Sequence, residues 1–352
     1  MSRFFHSKYK GLVPYTPGEQ PREQTFIKLN TNESPFPPSP KAVKAAAEEA
    51  ERLQLYSDPT CKVLHRRMSA LLGISEEQVI FTNGSDEGLL FAFMAFCEGG
   101  AVFADITYGF YPVFAELAGV RYRTLPLRED FSLCIEDYFE TRETVFIANP
   151  NAPTGLALPL TDIRRLLESN PERIVVVDEA YVDFGGESAV GLINEYENLL
   201  VVQTFSKSRS LAGGRLGMVF GNEALIADLQ TIRYSTNPYN VNRMTMAAGA
   251  AVLEDEDYTR RNLSAIVDNR AFAAEQLQKL GFELTDSRTN FLFVRHPAIA
   301  GERVYQRLRD KGVLVRHFDT ERLKEYNRIT VGSRAQMEAL VEALKEIVEE
   351  EL

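Results

Sequence analysis

Six short apolar runs, each closing on small or polar residues, recur between about Lys41 and Leu253: QVIFTNG, AVFAD, TVFIANP, RIVVVDEA, LLVVQTFS and GMVFG. Runs of this length and β-branched content predict strands buried on both faces. Between several of them lie amphipathic stretches such as SDEGLLFAFMAFC and TDIRRLLESN, which predict helices. Alternation of this kind predicts an α/β architecture, a mostly parallel central sheet covered by helices on both faces. In such sheets ligands bind beyond the carboxyl ends of the strands.

The texture changes after Leu253. A long helical pattern, DYTRRNLSAIVDNRAFAAEQLQKLG, closes at Gly281 and is followed by FELT, NFLFVR, the helix GERVYQRLRDKG, VLVRHF, RITVG and a C-terminal helix ending in EEEL. This predicts a smaller α+β unit, with residues 31–254 as the large domain and residues 1–30 and 255–352 as a small domain with an N-terminal arm. The acidic EEEL end is expected as a solvated helix tip, and NESPFPPSP as an ordered turn at the entrance to the large domain.

Composition narrows the function classes. With 352 residues and 45% hydrophobic content the chain can bury a sizeable core in two compact parts. A formal net charge of -11 argues against nucleic acid as a partner, since phosphate neutralisation needs a basic face. Three isolated cysteines, Cys61, Cys97 and Cys134, give neither a disulfide framework nor zinc-ligand spacing, and the four histidines form no HxxxH or HExxH pair. No stretch approaches the ~20 apolar residues of a membrane span. Charges interrupt the N-terminal segment, which reads as neither signal peptide nor anchor, and a reducing cytoplasm is the expected location.

Chemistry gathers at the predicted strand ends. In NGSDEGLLFAF, Gly84 frees the backbone while Ser85 and Asp86 open a helix whose first N–H groups lack internal partners, an anion site suited to phosphate. Helix capping by Ser85 accounts for the same residues. Asp178 ends the valine run of VVVDEAYVDF, where an unpartnered carboxylate is costly and a cation is wanted. A helix cap or an ordinary salt bridge is the alternative there, and Tyr181 can place a phenol beside the same ligand. LLVVQTFSK leads into Ser206 and Lys207, and a partly desolvated lysine amine is a nucleophile toward a carbonyl. Arg215, beyond a flexible AGG, brings a planar fork for phosphate. A reactive amine, a carboxylate for a cation, a phenol and two phosphate anchors describe pyridoxal phosphate.

The segments KLNTNESPF, LYSDP, NGSDE, TYGFY, NPNAPTG, VVDEAYVDF, TFSKSRSLAGGRLG, GVLVRHF and RITVGS occur in an order and spacing that carry a family resemblance. The chain resembles the fold-type I pyridoxal-phosphate aminotransferases over nearly its full length, and within them it is most similar to histidinol-phosphate aminotransferases. The resemblance implies roles. Lys207 would form the Schiff base and move the substrate proton, Asp178 would pair with the pyridinium nitrogen, and Tyr181 would hydrogen-bond the ring hydroxyl. Tyr108 would stack on the ring, and Gly84, Ser85, Asp86, Ser206 and Arg215 would line the phosphate cup. Tyr56 would reach the cofactor of a neighbouring subunit, which implies a homodimer with shared sites. Arg328 would meet the acidic group of the substrate, with Tyr15 closing the pocket and Asn32 and Arg316 as further substrate contacts.

One position departs from the family pattern. Where the family carries a second asparagine after the first, this chain has Ala152, so that hydrogen bond to the ring hydroxyl passes to Asn151 or Asn149, or is left to Tyr181 alone. Arg233, Asn237 and Tyr239 lie where the family places substrate-facing or dimer-facing residues and receive no specific role. The resemblance implies a two-stage exchange in which glutamate leaves as 2-oxoglutarate and imidazole-acetol phosphate becomes histidinol phosphate. Its alternatives are a threonine-phosphate decarboxylase-like lyase and an aromatic-amino-acid aminotransferase, while a cofactor-binding regulator is disfavoured by the presence of Lys207. Small molecules are the expected partners, with no membrane.

Overall fold

The structure is a computed structural model that describes residues 2–16, 18–20 and 26–352; parts of the expected N-terminal arm, residues 1, 17 and 21–25, lie outside it. The chain enters through β1 (Ile27–Lys28), α1 (Pro40–Ala50) and α2 (Lys62–Leu72). It then builds β2 (Val79–Thr82), α3 (Ser85–Phe96), β3 (Ala101–Ala104), α4 (Tyr111–Ala118), β4 (Tyr122–Leu125), β5 (Thr144–Ala148), α5 (Leu160–Ser169), β6 (Val175–Asp178), β7 (Leu199–Thr204) and β8 (Gly217–Gly221). Helices α6 (Glu223–Thr236), α7 (Arg243–Leu253) and the long α8 (Glu256–Lys279) lead out of this unit. The rest comprises β9 (Glu283–Leu284), β10 (Phe291–Arg295), α9 (Gly301–Asp310), β11 (Val313–Leu314), β12 (Arg316–His317), β13 (Asn327–Thr330) and α10 (Arg334–Glu351).

Strands β2 to β8 form one sheet in the order β2-β8-β7-β6-β5-β3-β4, parallel throughout except for β8, which runs against both neighbours. The continuous apolar runs follow from burial on both faces. Val175 and Val177 of β6 join a core with Phe81, Val145, Val201 and Phe220, while the intervening Val176 joins a second core with Ile80, Phe103, Phe146 and Val219. Each strand thus feeds two layers, and its last residue is the first to face open space. In register, Ala148, Asp178 and Val202 stand side by side at that edge.

A second, antiparallel sheet takes the order β12-β13-β10-β9, and β1 pairs in parallel with β11. Leu29 shares a buried cluster with Ile266, Leu292, Val304, Val315, Ile329 and Leu340, so the segment after β1 packs with C-terminal elements. Among the described residues no helix is long and apolar enough to cross a membrane.

Four local details differ from the sequence expectation. Strand β4 was not foreseen, because Tyr122, Arg123 and Thr124 are exposed on a sheet edge and leave no apolar run. Helix α3 is not amphipathic: Leu89, Phe91, Ala92 and Phe93 are all buried, because it lies between the sheet and neighbouring helices α4 and α6. VLVRHF is broken into β11 and β12, which pair with different strands. The EEEL end is not simply solvated, since Glu350 and Glu351 pair with Arg303, Arg307 and Lys311 of and beside α9.

Candidate active site

Two adjoining cavities open at the carboxyl edge of the large sheet. The inner one, about 380 Å³, is lined by Ser85, Asp86, Tyr108, Ala152, Asp178, Tyr181, Thr204, Ser206, Lys207 and Arg215, with Thr31 and Glu33 across from them. Each wall residue leaves a strand end: Ser85 follows β2, Tyr108 follows β3, Asp178 ends β6, and Ser206 and Lys207 follow β7.

One end of this cavity is shaped for an anion. Gly84 precedes α3 with φ +78°, and no side chain caps the first turn of that helix, so its leading N–H groups remain available. Ser85 is therefore the first helical residue and not its cap. The backbone is tight here: a Cβ on Gly84 would lie 2.4 Å from Arg215 Nη2, and one on Gly217 would lie 2.3 Å from the Ser85 nitrogen. Only glycine lets β8 pass beneath the helix start while Arg215 folds over it. Arg215 Nη2 donates to Asp86 Oδ2 at 3.1 Å, and Tyr108 Oη donates to Asp86 Oδ1 at 2.7 Å. Burial and the neighbouring Asp86 charge hold the Tyr108 phenol well above its usual range, so it stays protonated.

The opposite end presents a buried carboxylate. Asp178 is only 5% exposed, and among the described residues its hydrogen-bond donors are two neutral groups, Tyr111 Oη at 2.9 Å and the Ala180 N–H at 3.2 Å. Burial pushes its carboxyl up to about 6 against the lowering effect of those two bonds, and the Asp86 charge adds to the rise. A cation placed beside Asp178 would reverse that penalty. Its neighbour Glu179 is equally buried and pushed up to about 7 by burial, but it points away from the cavity into donors from Ser188, Ala189 and Gln203.

Lys207 stands where the two cavities meet and lines both. Its Nζ donates to the Thr31 carbonyl at a long 3.4 Å and lies 5.7 Å from the centre of the Tyr181 ring. The Tyr181 hydroxyl accepts from Asn32 Nδ2 at 3.0 Å, and Asn32, at φ +55°, is itself fixed by Thr330. Nearby Glu33 accepts from Lys28 at 2.5 Å and Thr31 at 2.8 Å; burial works to raise its carboxyl, but these bonds and the Lys28 and Lys207 charges bring it below its usual range.

The outer cavity, about 590 Å³, lies between the two sheets and is lined by Tyr15, Asn32, Thr107, Tyr108, Arg316 and Arg328 among others. Arg316 and Arg328 are direct partners across β12 and β13. Like charges so placed repel unless an anion bridges them. Arg328 Nη2 donates to the Asn30 carbonyl at 3.1 Å while its buried Nε has no partner among the described residues, and desolvation together with Arg316 depresses its pKa. Tyr15 covers this cavity from the N-terminal side, stacked on Phe110 with ring centres 4.2 Å apart.

Most of the residues given a role meet in these two spaces; Gly84, Asn149, Asn151 and Tyr56 do not. Gly84 borders the anion end without lining it. Asn151 stays outside, its carboxamide spent on Thr107, Ile106 and Thr154. Asn149 is likewise committed to both backbone groups of Leu158, so neither asparagine is free to stand in for Ala152, whose methyl lines both cavities. Tyr56 is 79% exposed, stacked on Tyr239 with ring centres 4.6 Å apart and apart from its own chain's cavities. The sequence reading passed over Tyr111, Thr31, Asn30 and Asp105. Tyr111 closes the quoted TYGFY segment and supports Asp178, Asp105 closes the AVFAD run, and Asn30 and Thr31 lie inside KLNTNESPF, yet none of the four was given a role there.

Comparison with known proteins gives a consistent result. The sequence profile of the family described as aminotransferase class I and II matches residues 24–344. A histidinol-phosphate aminotransferase of Marinomonas sp. (strain MWYL1) is 47% identical over 351 residues, covering 98% of this chain and 99% of that one. One of Clostridium botulinum (strain Langeland) is 44% identical over 351 residues, covering 99% of both. Among solved structures, the histidinol-phosphate aminotransferase of Sinorhizobium meliloti in complex with pyridoxal-5'-phosphate superposes with a TM-score of 0.88 over 99% of this chain and all of that one, at 23% identity.

Proposed function

The chain belongs to the class I and II aminotransferases and, within them, to the histidinol-phosphate aminotransferases; from that premise we propose that it exchanges the amino group of glutamate for the oxo group of imidazole-acetol phosphate, giving histidinol phosphate. It is a pyridoxal-phosphate-dependent transaminase of histidine biosynthesis. The observation that carries the substrate reading is the placement of Lys207 between a buried carboxylate without a cation and a cross-strand arginine pair without an anion.

The inner cavity fits the cofactor on its own terms: a cradle that admits only glycine at Gly84 and Gly217, an uncapped helix start, and Asp178 in need of a cation. Ser85, Ser206 and Arg215, with the backbone N–H of Asp86, would hold the phosphate, Asp178 the protonated ring nitrogen, Tyr181 the ring hydroxyl and Tyr108 the ring face. When bound, pyridoxal phosphate supplies the aldehyde that accepts an amine and a ring that withdraws electrons from the substrate α-carbon. Lys207 would supply the base: its Nζ would take the proton from the α-carbon of the amino donor and, in the second half of the exchange, deliver one to the α-carbon of the newly aminated product. Asp178, kept ionised by the cation it faces, holds that charge in place. Arg328 and Arg316 bind the phosphate of one substrate and the distal carboxylate of the other, because the guanidinium fork pairs with either anion. Tyr15 and Asn32 close the space over the substrate and exclude water.

The enzyme works as a homodimer in the cytoplasm, with Tyr56 completing the phosphate site of the neighbouring subunit. An exposed phenol remote from its own cavity supports this, together with the exposed apolar residues Val43, Leu53 and Leu55 close to it in sequence. Tyr56→Phe is expected to raise the cofactor dissociation constant about tenfold, as loss of a hydrogen bond to a charged group does; unchanged affinity, measured by fluorescence titration, would remove the phenol from the site. The function itself is tested by half-reactions. The holoenzyme is mixed with histidinol phosphate, glutamate, phenylalanine or threonine phosphate and its absorbance followed. Fast amine transfer from histidinol phosphate and glutamate supports the reading. Carbon dioxide release from threonine phosphate would make the protein a decarboxylase, and a preference for phenylalanine would move it to aromatic substrates.

A further inference from the structure

The outer cavity is closed on one side by the loop between β12 and β13, residues 318–326, and among the described residues the side-chain hydrogen bonds that join this loop to the large-sheet unit all come from Arg322. Arg322 Nη1 donates to Asp105 Oδ2 at 2.9 Å, and Nη2 donates to the carbonyls of Leu127 at 3.0 Å and Arg128 at 2.8 Å. All three acceptors belong to the segment that leaves β3 and β4. Asp105 is held in turn, its Oδ1 accepting from the Leu127 N–H at 2.9 Å. Both Arg322 and Asp105 line the outer cavity, and neither was expected from the sequence to act there.

A half-exposed ion pair contributes little on its own. Here the rigid guanidinium fork spans a carboxylate and two carbonyls through two of its nitrogens, a geometry that a flexible ammonium does not hold. It also lies 5.7 Å from the centre of the Phe131 ring. Beneath it an apolar cluster crosses between the two units: Ala104, Ile106, Leu127 and Phe131 from one side meet Phe293, Leu323, Phe318 and Tyr326 from the other. That cluster keeps the loop folded, and the arginine fixes where it sits.

We propose that Arg322 is a positioning residue, a clasp on Asp105 and the Leu127 and Arg128 carbonyls that sets the wall of the substrate cavity and, through the loop, the placement of the Arg316 and Arg328 pair at its two ends. The proposal rests on the substrate reading above. The clasp touches no reacting atom; it acts on how well the anionic end of the substrate is met. Its loss therefore falls on binding and spares the chemistry at Lys207.

The test compares wild type with Arg322→Gln, Asp105→Asn and the double variant in steady-state turnover of histidinol phosphate, with melting temperature as the folding control. Arg322→Gln is expected to raise KM about tenfold while kcat stays within about twofold. Asp105→Asn should raise KM in the same direction, and the double variant should be no worse than Arg322→Gln, since coupled partners are non-additive. Arg322→Lys, which keeps the charge and loses the fork, should fall between. An unchanged KM in a folded Arg322→Gln enzyme, a loss confined to kcat, or additive effects of the two changes would overturn the clasp. If Arg322→Gln does not fold, Asp105→Asn decides by the same KM criterion. Failure of the substrate reading looks different: wild type itself would not turn over histidinol phosphate, and the same variants would then be compared by their apparent affinity for glutamate in the half-reaction.

Discussion

The inner and outer cavities meet at Lys207 yet are assembled by opposite means. Every polar wall of the inner cavity that leaves the large sheet does so within a few residues of a strand end, so its geometry is inherited from one rigid layer packed on both faces. The outer cavity draws Tyr15 from the N-terminal segment, Asn30 to Asn32 from the stretch after β1, Asp105 to Gly109 from the large sheet, and Arg316 to Arg328 from the small one. The first space is suited to holding one molecule permanently. The second depends on how two units stand to each other, which suits substrates that come and go.

Lys207→Ala strikes both at once and should have the largest effect. Removing the one lysine amine that lines the two cavities among the described residues is expected to lower amine transfer by about 10³-fold or more, in line with loss of the base and of covalent attachment. The protein should remain folded, since Lys207 makes one long hydrogen bond to the Thr31 carbonyl and no ion pair among the described residues. Single-turnover absorbance and circular dichroism check the two halves of this statement; a variant retaining a substantial rate would move the chemistry elsewhere.

Asp178→Asn isolates the inner cavity. In wild type the carboxyl is raised to about 6 from an unfolded value near 3.8, so its contribution to stability is complete below about pH 4 and is lost as the pH rises through about 6. Without cofactor, the Asn variant should therefore be the more stable protein at pH 8, by on the order of 3 kcal/mol, and the two should converge toward pH 4. Glu179, raised to about 7 by burial, adds a loss of the same sign to both proteins and leaves the difference intact. Pyridoxal phosphate should reverse the order at pH 8, because a ligand cation favours only the charged side chain. Thermal melts from pH 4 to 8, with and without cofactor, read all of this; a variant less stable than wild type at pH 8 without cofactor would mean that Asp178 is not a destabilising charge.

The same contrast explains what could be read in advance. The strands, their two-faced burial and the residues at their ends were legible because burial writes a continuous apolar run and the polar residue that breaks it marks the edge: Asp178 after three valines is such a mark. Lys207, Ser206 and Ser85 were singled out by the same rule, and Arg215 by the flexible AGG before it. The exposed strand β4 was not, since a sheet edge facing water leaves no run to read. Nor were the partners of Arg322, Asp105 and Asn30: Asp105 closes the AVFAD run and Asn30 lies in KLNTNESPF, but what each one meets is about 200 to 300 residues away along the chain. Tyr111 lay inside a quoted segment, yet its bond to Asp178 spans 67 positions and has no local signature. Tyr56 was legible only through resemblance, and within one chain it has no site to serve.

Ala152 offers the finest probe, because its methyl belongs to both cavities and the two asparagines before it, Asn149 and Asn151, are committed elsewhere. Ala152→Asn would place a carboxamide in the cavity that Tyr181 also lines, where it could join Tyr181 in the proposed contact with the ring hydroxyl. One added hydrogen bond in such a space contributes roughly 0.5–1.5 kcal/mol, so cofactor affinity is expected to rise about 2–10-fold while kcat changes less. The residue is 6% exposed and its side faces open cavity, so the larger side chain need not displace the core. Weaker cofactor binding in the variant would instead mean that the methyl reserves room, and that the outer cavity borrows this position from the inner one. Equilibrium dialysis of pyridoxal phosphate against both proteins separates the two, and the sign of the change says which cavity Ala152 serves.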